Sequence, residues 1–414
     1  MNIFSTLDPQ RRRSLQNLFI AGLLFWSSLG SLLPTLPLYI QYVGGTKQQI
    51  GFVIGAFAIG LLLSRPWLGT IADTKSRKLV LLLGTLVAEI APLAYIFVNS
   101  IPLLLVIRVF HGVSIAAFTS GYSALVTDLS PKGRKGELIG YMSLVNPIGF
   151  AVGPALGGYL QVAMGYNPLF LMSSILALLA LIYTYQVREL NFPKPPKINS
   201  SLKVSSFFTY WQMLWNPRVR VPALVLLLLG LVFGTFSTFM PLFLQQTKVD
   251  LNPGLFYSVA AISSFAIRLF TGKASDKYGR GIFITGGLAC YAIAMMILFI
   301  ADDYYIFILA ALFQGAGSGT VLPIMITLMT DRCEPHERGR LFSLCITGFD
   351  VGVAIAGPTL GFIAEIVGYR NMFGLAGLIG MLATILFITK NSKDLPHSLR
   401  FSLGQGKDVY ALKN

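Results

Sequence analysis

Apolar runs of roughly 20 residues recur along nearly the whole of this 414-residue chain, and that is the length an α-helix needs to cross a hydrocarbon layer roughly 30 Å thick. Twelve such runs fall near residues 15–39, 48–70, 78–98, 101–127, 137–160, 167–187, 221–245, 253–272, 281–300, 303–329, 341–364 and 370–389. In lipid every backbone N–H and C=O must be paired inside the segment, so runs of this length must be helices. The alternating pattern of a membrane β-barrel is absent. With 54% hydrophobic and only 12% charged residues, the chain has too little polar surface to cover a soluble core of this size. The expected fold class is an all-α polytopic membrane protein with twelve transmembrane helices.

A formal charge of +15 would suit a nucleic-acid partner, but its distribution argues against one. With the N-terminus inside, 26 of the 32 Lys and Arg residues fall on cytoplasmic segments, while the opposite face carries Lys47, Lys248 and Arg370. This is the positive-inside pattern; it places both termini in the cytoplasm of a plasma (inner) membrane protein. Arg11 to Arg13 resemble the n-region of a signal peptide, yet the run behind them is too long and carries Pro34 and Pro37, so it is read as the first retained helix. Cys290, Cys333 and Cys345 have no metal-site spacing and are expected as free thiols. No metal cluster, nucleophile motif or nucleotide-binding loop occurs, so neither an enzyme, a cofactor nor direct ATP coupling is expected. The sequon at Asn199 falls on the cytoplasmic side and carries no meaning there.

The longest polar segment begins with "NFPKPPKINSSLK", a stiff and solvated composition. It divides the chain into an N-terminal six-helix bundle (1–187), a cytoplasmic linker (188–220), a C-terminal six-helix bundle (221–390) and a cytoplasmic tail (391–414). The two bundles are pseudo-symmetric. Arg65, Gly69, Asp73 and Arg77 recur 203 residues later as Arg268, Gly272, Asp276 and Arg280. The same shift carries Gly112 onto Gly315, Asp128 onto Asp331, Gly136 onto Gly339, and Gly165-Tyr166 onto Gly368-Tyr369. A shift of 204 carries Pro37 onto Pro241 and Gly153-Pro154 onto Gly357-Pro358. Six crossings return the chain to the same side, so the repeats are parallel. Such halves characterise secondary transporters, with a substrate site between them near the midplane.

These residues carry a family resemblance over nearly the full length: the chain resembles a major facilitator superfamily transporter, and among those the proton antiporters of drugs and sugars. "GTIADTKSRK" (69–78) and "GKASDKYGRG" (272–281) resemble the signature between the second and third helices of each half. "LLLVIRVFHGVSIAAF" (103–118) resembles the fourth-helix motif with its buried Arg, and "GFAVGPALGG" (149–158) matches the antiporter pattern of the fifth helix. The resemblance implies that Asp73, Arg77, Asp276 and Arg280 latch the halves together on the cytoplasmic face; the plainer reading of the basic residues is anchoring to anionic headgroups. Ser76 stands where the family has Gly, whereas Gly279 keeps it, so the first loop is expected to be shaped differently. Gly149, Gly153, Gly157 and Gly158 clear one side of the fifth helix for close approach, and Pro154 bends it.

An ionisable group at mid-membrane costs roughly 3 kcal/mol, so each one is a functional candidate. Asp350 is the leading one: it aligns internally with Asn146, seven residues ahead of Gly-Pro in both halves, and a carboxyl at that depth can alternate between protonated and ionised forms. Glu89 is similarly central. Arg108 has a role in proton coupling by resemblance, or binds a polar or anionic substrate through its fork of donors. His111 stands where the motif commonly has Gln, and its counterpart is Gln314; it reads either as a titrating group or as a neutral, hydrogen-bonded one. Arg65 and Arg268 lie near inner helix ends, where they can snorkel. By resemblance, the first, fourth, seventh and tenth helices line the cavity, with Trp26, Ser27, Ser28, Ser114, Phe236, Thr238, Gln314 and Ser318 as candidates; plain packing is the alternative for each.

The functional expectation is a secondary active transporter working by alternating access as a monomer, coupled to protons and exporting drugs or sugar-like compounds. A proton-linked importer of a sugar or related solute is the alternative within transport. A non-transporting membrane sensor is the alternative outside it, disfavoured by the retained latch acids and the lack of a soluble relay domain.

Overall fold

The structure, a computed structural model, describes residues 7–131, 135–188, 215–333 and 338–412. The side chains of residues 73, 135–136, 273 and 338–344 fall outside that description, as does most of the expected linker. The described residues are helical, without strands, and the chain forms two compact units, Met1–Pro196 with Asn252–Ser258, and Lys197–Leu251 with Val259–Asn414.

The first unit contains α1 (Pro9–Leu32), α2 (Leu36–Tyr42), α3 (Lys47–Thr74), α4 (Arg77–Phe97), α5 (Ile101–Leu129), α6 (Lys135–Ser143), α7 (Val145–Met164) and α8 (Tyr166–Tyr185). The expected first span is broken at residues 33–35, where Pro34 and Pro37 remove two backbone donors, so that α1 and α2 together make the crossing. α3 starts on a capping box in which Thr46 and Gln49 satisfy each other's backbone N–H. α1 packs against α7 and α8, α3 against α5, and α4 against α5 and α8.

The second unit contains α9 (Pro217–Thr247), most of α10 (Pro253–Tyr278), α11 (Arg280–Ile300), α12 (Tyr304–Asp331), α13 (Arg338–Lys390) and α14 (Leu395–Ser402). α9 begins four residues ahead of the expected seventh span, capped by the Asn216 side chain. α9 packs along α13, and α11 lies between α12 and α13. α13 is two helices joined at Gly368, whose φ of 79° belongs to the left-handed region open to glycine. Its pseudo-symmetric mate Gly165 makes the corresponding turn at φ 87°. Eleven stretches among the described residues are long and apolar enough to span a membrane, and the 46-residue one, Cys345–Lys390, contains the Gly368 turn and makes two crossings. The protein is therefore a multi-pass membrane protein with twelve spanning helices in two six-helix bundles.

The tail is more than a polar end. After Lys390 the chain turns into α14, whose N-terminus is capped by Asp394 accepting from the His397 N–H at 2.9 Å. Phe401 is buried against Phe387 and against the backbone of Gly281. Beyond α14 the chain returns to the end of α12, where Leu412 N–H donates to Asp331 O at 2.9 Å. Arg332, 0% exposed, makes a bidentate pair with Asp408 at 2.6 and 3.0 Å. It also donates to both oxygens of Asn391 and to Arg218 O, and lies over the Tyr410 ring. One guanidinium thus ties the start of α9, the end of α12, the end of α13 and the tail.

Candidate functional site

The repeated loops show how one motif takes two local forms. Asp73 lies in the last turn of α3, and its side chain is outside the described side chains. Ser76 is extended (φ −159°) and its Oγ caps α4 by accepting from Leu79 N–H at 3.0 Å. Gly279, at the equivalent place, has φ 90° and no side chain to cap with. The loops are shaped differently, as the Ser-for-Gly exchange predicts. Arg77 pairs with Asp128 at the end of α5, and Arg280 pairs with Asp331 at the end of α12 and approaches Asp276 Oδ1 at 3.5 Å. Asp128 and Asp331 were not among the candidate latch residues, although their 203-residue register was visible in the sequence.

The glycine row of α7 faces α1. A methyl group on Gly149 would strike Trp26, on Gly153 the Ser27 backbone, and on Gly157 the Ser31 backbone. Gly158 is turned elsewhere, toward Asn252 and Gly254 of the first unit. Pro154 sits inside α7 without ending it, its ring against Gly30. Trp26 is half-buried, 5.4 Å from the Phe150 ring and edge-on to Phe25 at the same distance.

The cavity candidates divide by how their polar atoms are used. Ser28 is fully buried and bonded to the carbonyl and hydroxyl of Ser173 on α8. Ser114 is fully buried and donates to His111 O at 2.7 Å. Ser27, Phe236 and Thr238 are buried among helices, and Ser318 is half-buried and donates to Gly315 O. These contacts are what packing residues make.

The ionisable candidates are spread between the units. Asp350 is 9% exposed in the first arm of α13, where Gly348 and Gly352 bring that arm against α9. Glu89 is half-buried on α4, with no cation paired to it among the described residues. Arg108 and His111 come together with Tyr95 from α4. The Tyr95 hydroxyl lies 3.2 Å from His111 Nδ1, the Arg108 guanidinium reaches the same nitrogen at 3.4 Å, and its cation stacks 4.3 Å over the Phe57 ring. A second cluster occupies the other unit: Tyr291 lies beside Gln314, Ser318 and the Arg268 guanidinium. Arg268, expected to snorkel, instead has its Nε enclosed. The tyrosine across from it gives the head group a polar neighbour inside the bundle, a contact that sequence position alone does not reveal. Among the described residues no three His, Cys, Asp or Glu side chains converge as a metal site would need.

Two pseudo-symmetric helical bundles with buried polar clusters are the architecture of a secondary transporter. The model of the Major Facilitator Superfamily matches residues 18–280 and 251–405, and the chain belongs to that superfamily; it is a transporter and not an enzyme. Over 392 residues it is 25% identical to the staphylopine export protein of Staphylococcus aureus, covering 92% of this chain and 97% of that one. It is 25% identical over 376 residues to the quinolone resistance protein NorA of the same species, covering 87% and 93%. In fold it is similar to the crystal structure of a bacterial homologue of the human lysosomal transporter Spinster, with a TM-score of 0.74, 16% identity, and coverage of 97% and 99%.

Proposed function

We propose that this transporter is a proton-linked exporter of drug-like or sugar-like compounds, acting as a monomer with both termini in the cytoplasm. The observation that carries the coupling is Asp350, a carboxyl buried well inside a membrane helix and held where two helices meet at glycines. Export is supported by the α7 glycine row, which seats the antiporter motif directly on the α1 backbone, and by two relatives named for export and for drug resistance. In this reading Arg77–Asp128 and Arg280–Asp331, with Asp73 and Asp276, shape the loops that close the cytoplasmic side.

The test is proton movement in inverted membrane vesicles, followed with a pH-sensitive dye while lipophilic cations and sugars are added one at a time. A solute that dissipates the gradient in wild-type vesicles and not in Asp350→Asn vesicles supports both parts of the reading. A solute that dissipates it equally in both removes Asp350 from the coupling. Accumulation of a sugar by intact cells, with no proton efflux from vesicles, favours import.

A further inference from the structure

The Arg108 cluster has a consistent hydrogen-bond polarity. Arginine only donates, so His111 Nδ1, 3.4 Å from the Arg108 guanidinium, is an acceptor, and the Tyr95 O–H donates to the same nitrogen. An accepting Nδ1 puts the imidazole proton on Nε2. That Nε2 is buried in a residue 0% exposed and has no hydrogen-bond partner, and the same holds for the enclosed Nε of Arg108 one turn away. Two donors within one turn therefore lack an acceptor, and a buried donor left unmet bears its full desolvation penalty. The permanent charge of Arg108 has no carboxylate ion-paired to it among the described residues, and its guanidinium stacks on the face of Phe57. In the second half the Nε of Arg268 is likewise enclosed without a partner, beside Tyr291 and Gln314, the counterpart of His111.

We propose that the transported solute is an organic anion, whose carboxylate, sulfonate or phosphate oxygens are taken by Arg108 and the Nε2–H of His111. What the Arg108 cluster lacks is an acceptor, and at this depth a cation without a counter-charge favours a charged one. Arg108 as a residue is half-buried, whereas His111 is sealed. The first helix supplies no acid to receive a cationic solute. The half-buried rings of Trp26 and Phe150 offer an aromatic surface in the same half for the body of the molecule.

This inference rests on the carrier reading, and the experiment separates the two. The detergent-solubilised full chain is titrated with naphthalenesulfonate, its neutral isostere naphthalenesulfonamide, and tetraphenylphosphonium, with the thermal transition as readout. Naphthalenesulfonate is expected to raise the transition of the wild type and the sulfonamide to leave it unmoved. In Arg108→Gln the apparent affinity for the sulfonate falls at least about tenfold, the scale of one charge-assisted hydrogen bond, while Arg108→Lys retains part of it. The ligand-free transitions of both variants report whether they fold. Stabilisation by tetraphenylphosphonium without response to the sulfonate overturns the anion assignment, as does a sulfonate response unchanged in Arg108→Gln or no sulfonate response at all. The vesicle assay with Asp350→Asn, run with naphthalenesulfonate added to the cations and sugars, judges the carrier reading separately, because dissipation by any member of that panel supports it.

Discussion

The two halves descend from one pattern and are fastened differently at the ends that carry the repeated loop. In the first, Arg77 pairs with Asp128, and Ser76 caps the next helix from an extended backbone. In the second, Arg280 pairs with Asp331 across a left-handed Gly279, and a second guanidinium, Arg332, is sealed in beside it by the tail. The first half has Leu129 at the position equivalent to Arg332, and no strap among the described residues. The shared pairs are partly exposed, with side chains 30% and 20% accessible for Arg77 and Asp128, whereas Arg332 and Asp408 are 0% and 8% accessible. Exposed pairs contribute about 0–1 kcal/mol, while a buried charge that loses its partner costs about 3–5 kcal/mol. The motif common to both halves is therefore the weaker fastening, and the unrepeated one the stronger.

Five substitutions test how the halves are fastened. Asp408→Ala leaves Arg332 buried without its carboxylate and is expected to lower the thermal transition in detergent by the equivalent of about 3–5 kcal/mol. A change no larger than that of Arg77→Ala would end the claim that the strap dominates. Gly153→Leu drives a side chain into the Ser27 backbone; loss of transport with a destabilisation of about 1–3 kcal/mol is expected, read by vesicle assay and melting. Swapping the loop residues sharpens the comparison. Gly279→Ser forces a side chain into φ 90° at about 1–2 kcal/mol, whereas Ser76→Gly removes a cap at only a few tenths, roughly 0.3 kcal/mol. Equal effects in the two melts would mean that the loops are interchangeable after all.

The smallest effect is on pH dependence. The Asp394 carboxyl is held below its ordinary range by the His397 backbone N–H and side chain. A depressed acid stabilises the folded form above its unfolded pKa, about 3.9, and loses that contribution as pH falls through the lower folded value. The α14 cap should therefore hold at neutral pH and fray only in strong acid. Hydrogen exchange at residues 395–402 would record it, and fraying already near pH 6 would contradict it.

Much of this protein was legible in one dimension because the bilayer makes it so. Span length and charge asymmetry are local quantities, and lipid forces apolar runs into helices, so the twelve crossings and the two halves followed from the sequence. The repeat register even held Asp128 and Asp331 in line before their partners were known. Close approach was legible too, since a glycine row at helical spacing has one use in a packed bundle, and α7 meets the α1 backbone there.

Pairing over long separations was not legible. Arg332 reads as one more basic residue at a helix end, and the carboxylate that encloses it stands 76 residues further on, in a segment that reads as a tail. Arg268 reads as a snorkelling residue until Tyr291 is placed beside it. His111 is fixed as a donor at Nε2 only once the Arg108 guanidinium is seen to face its other nitrogen. Hydrophobicity and charge are summed along a chain, but the direction of a hydrogen bond and the partner of a buried charge exist only after helices from distant parts of the sequence are side by side.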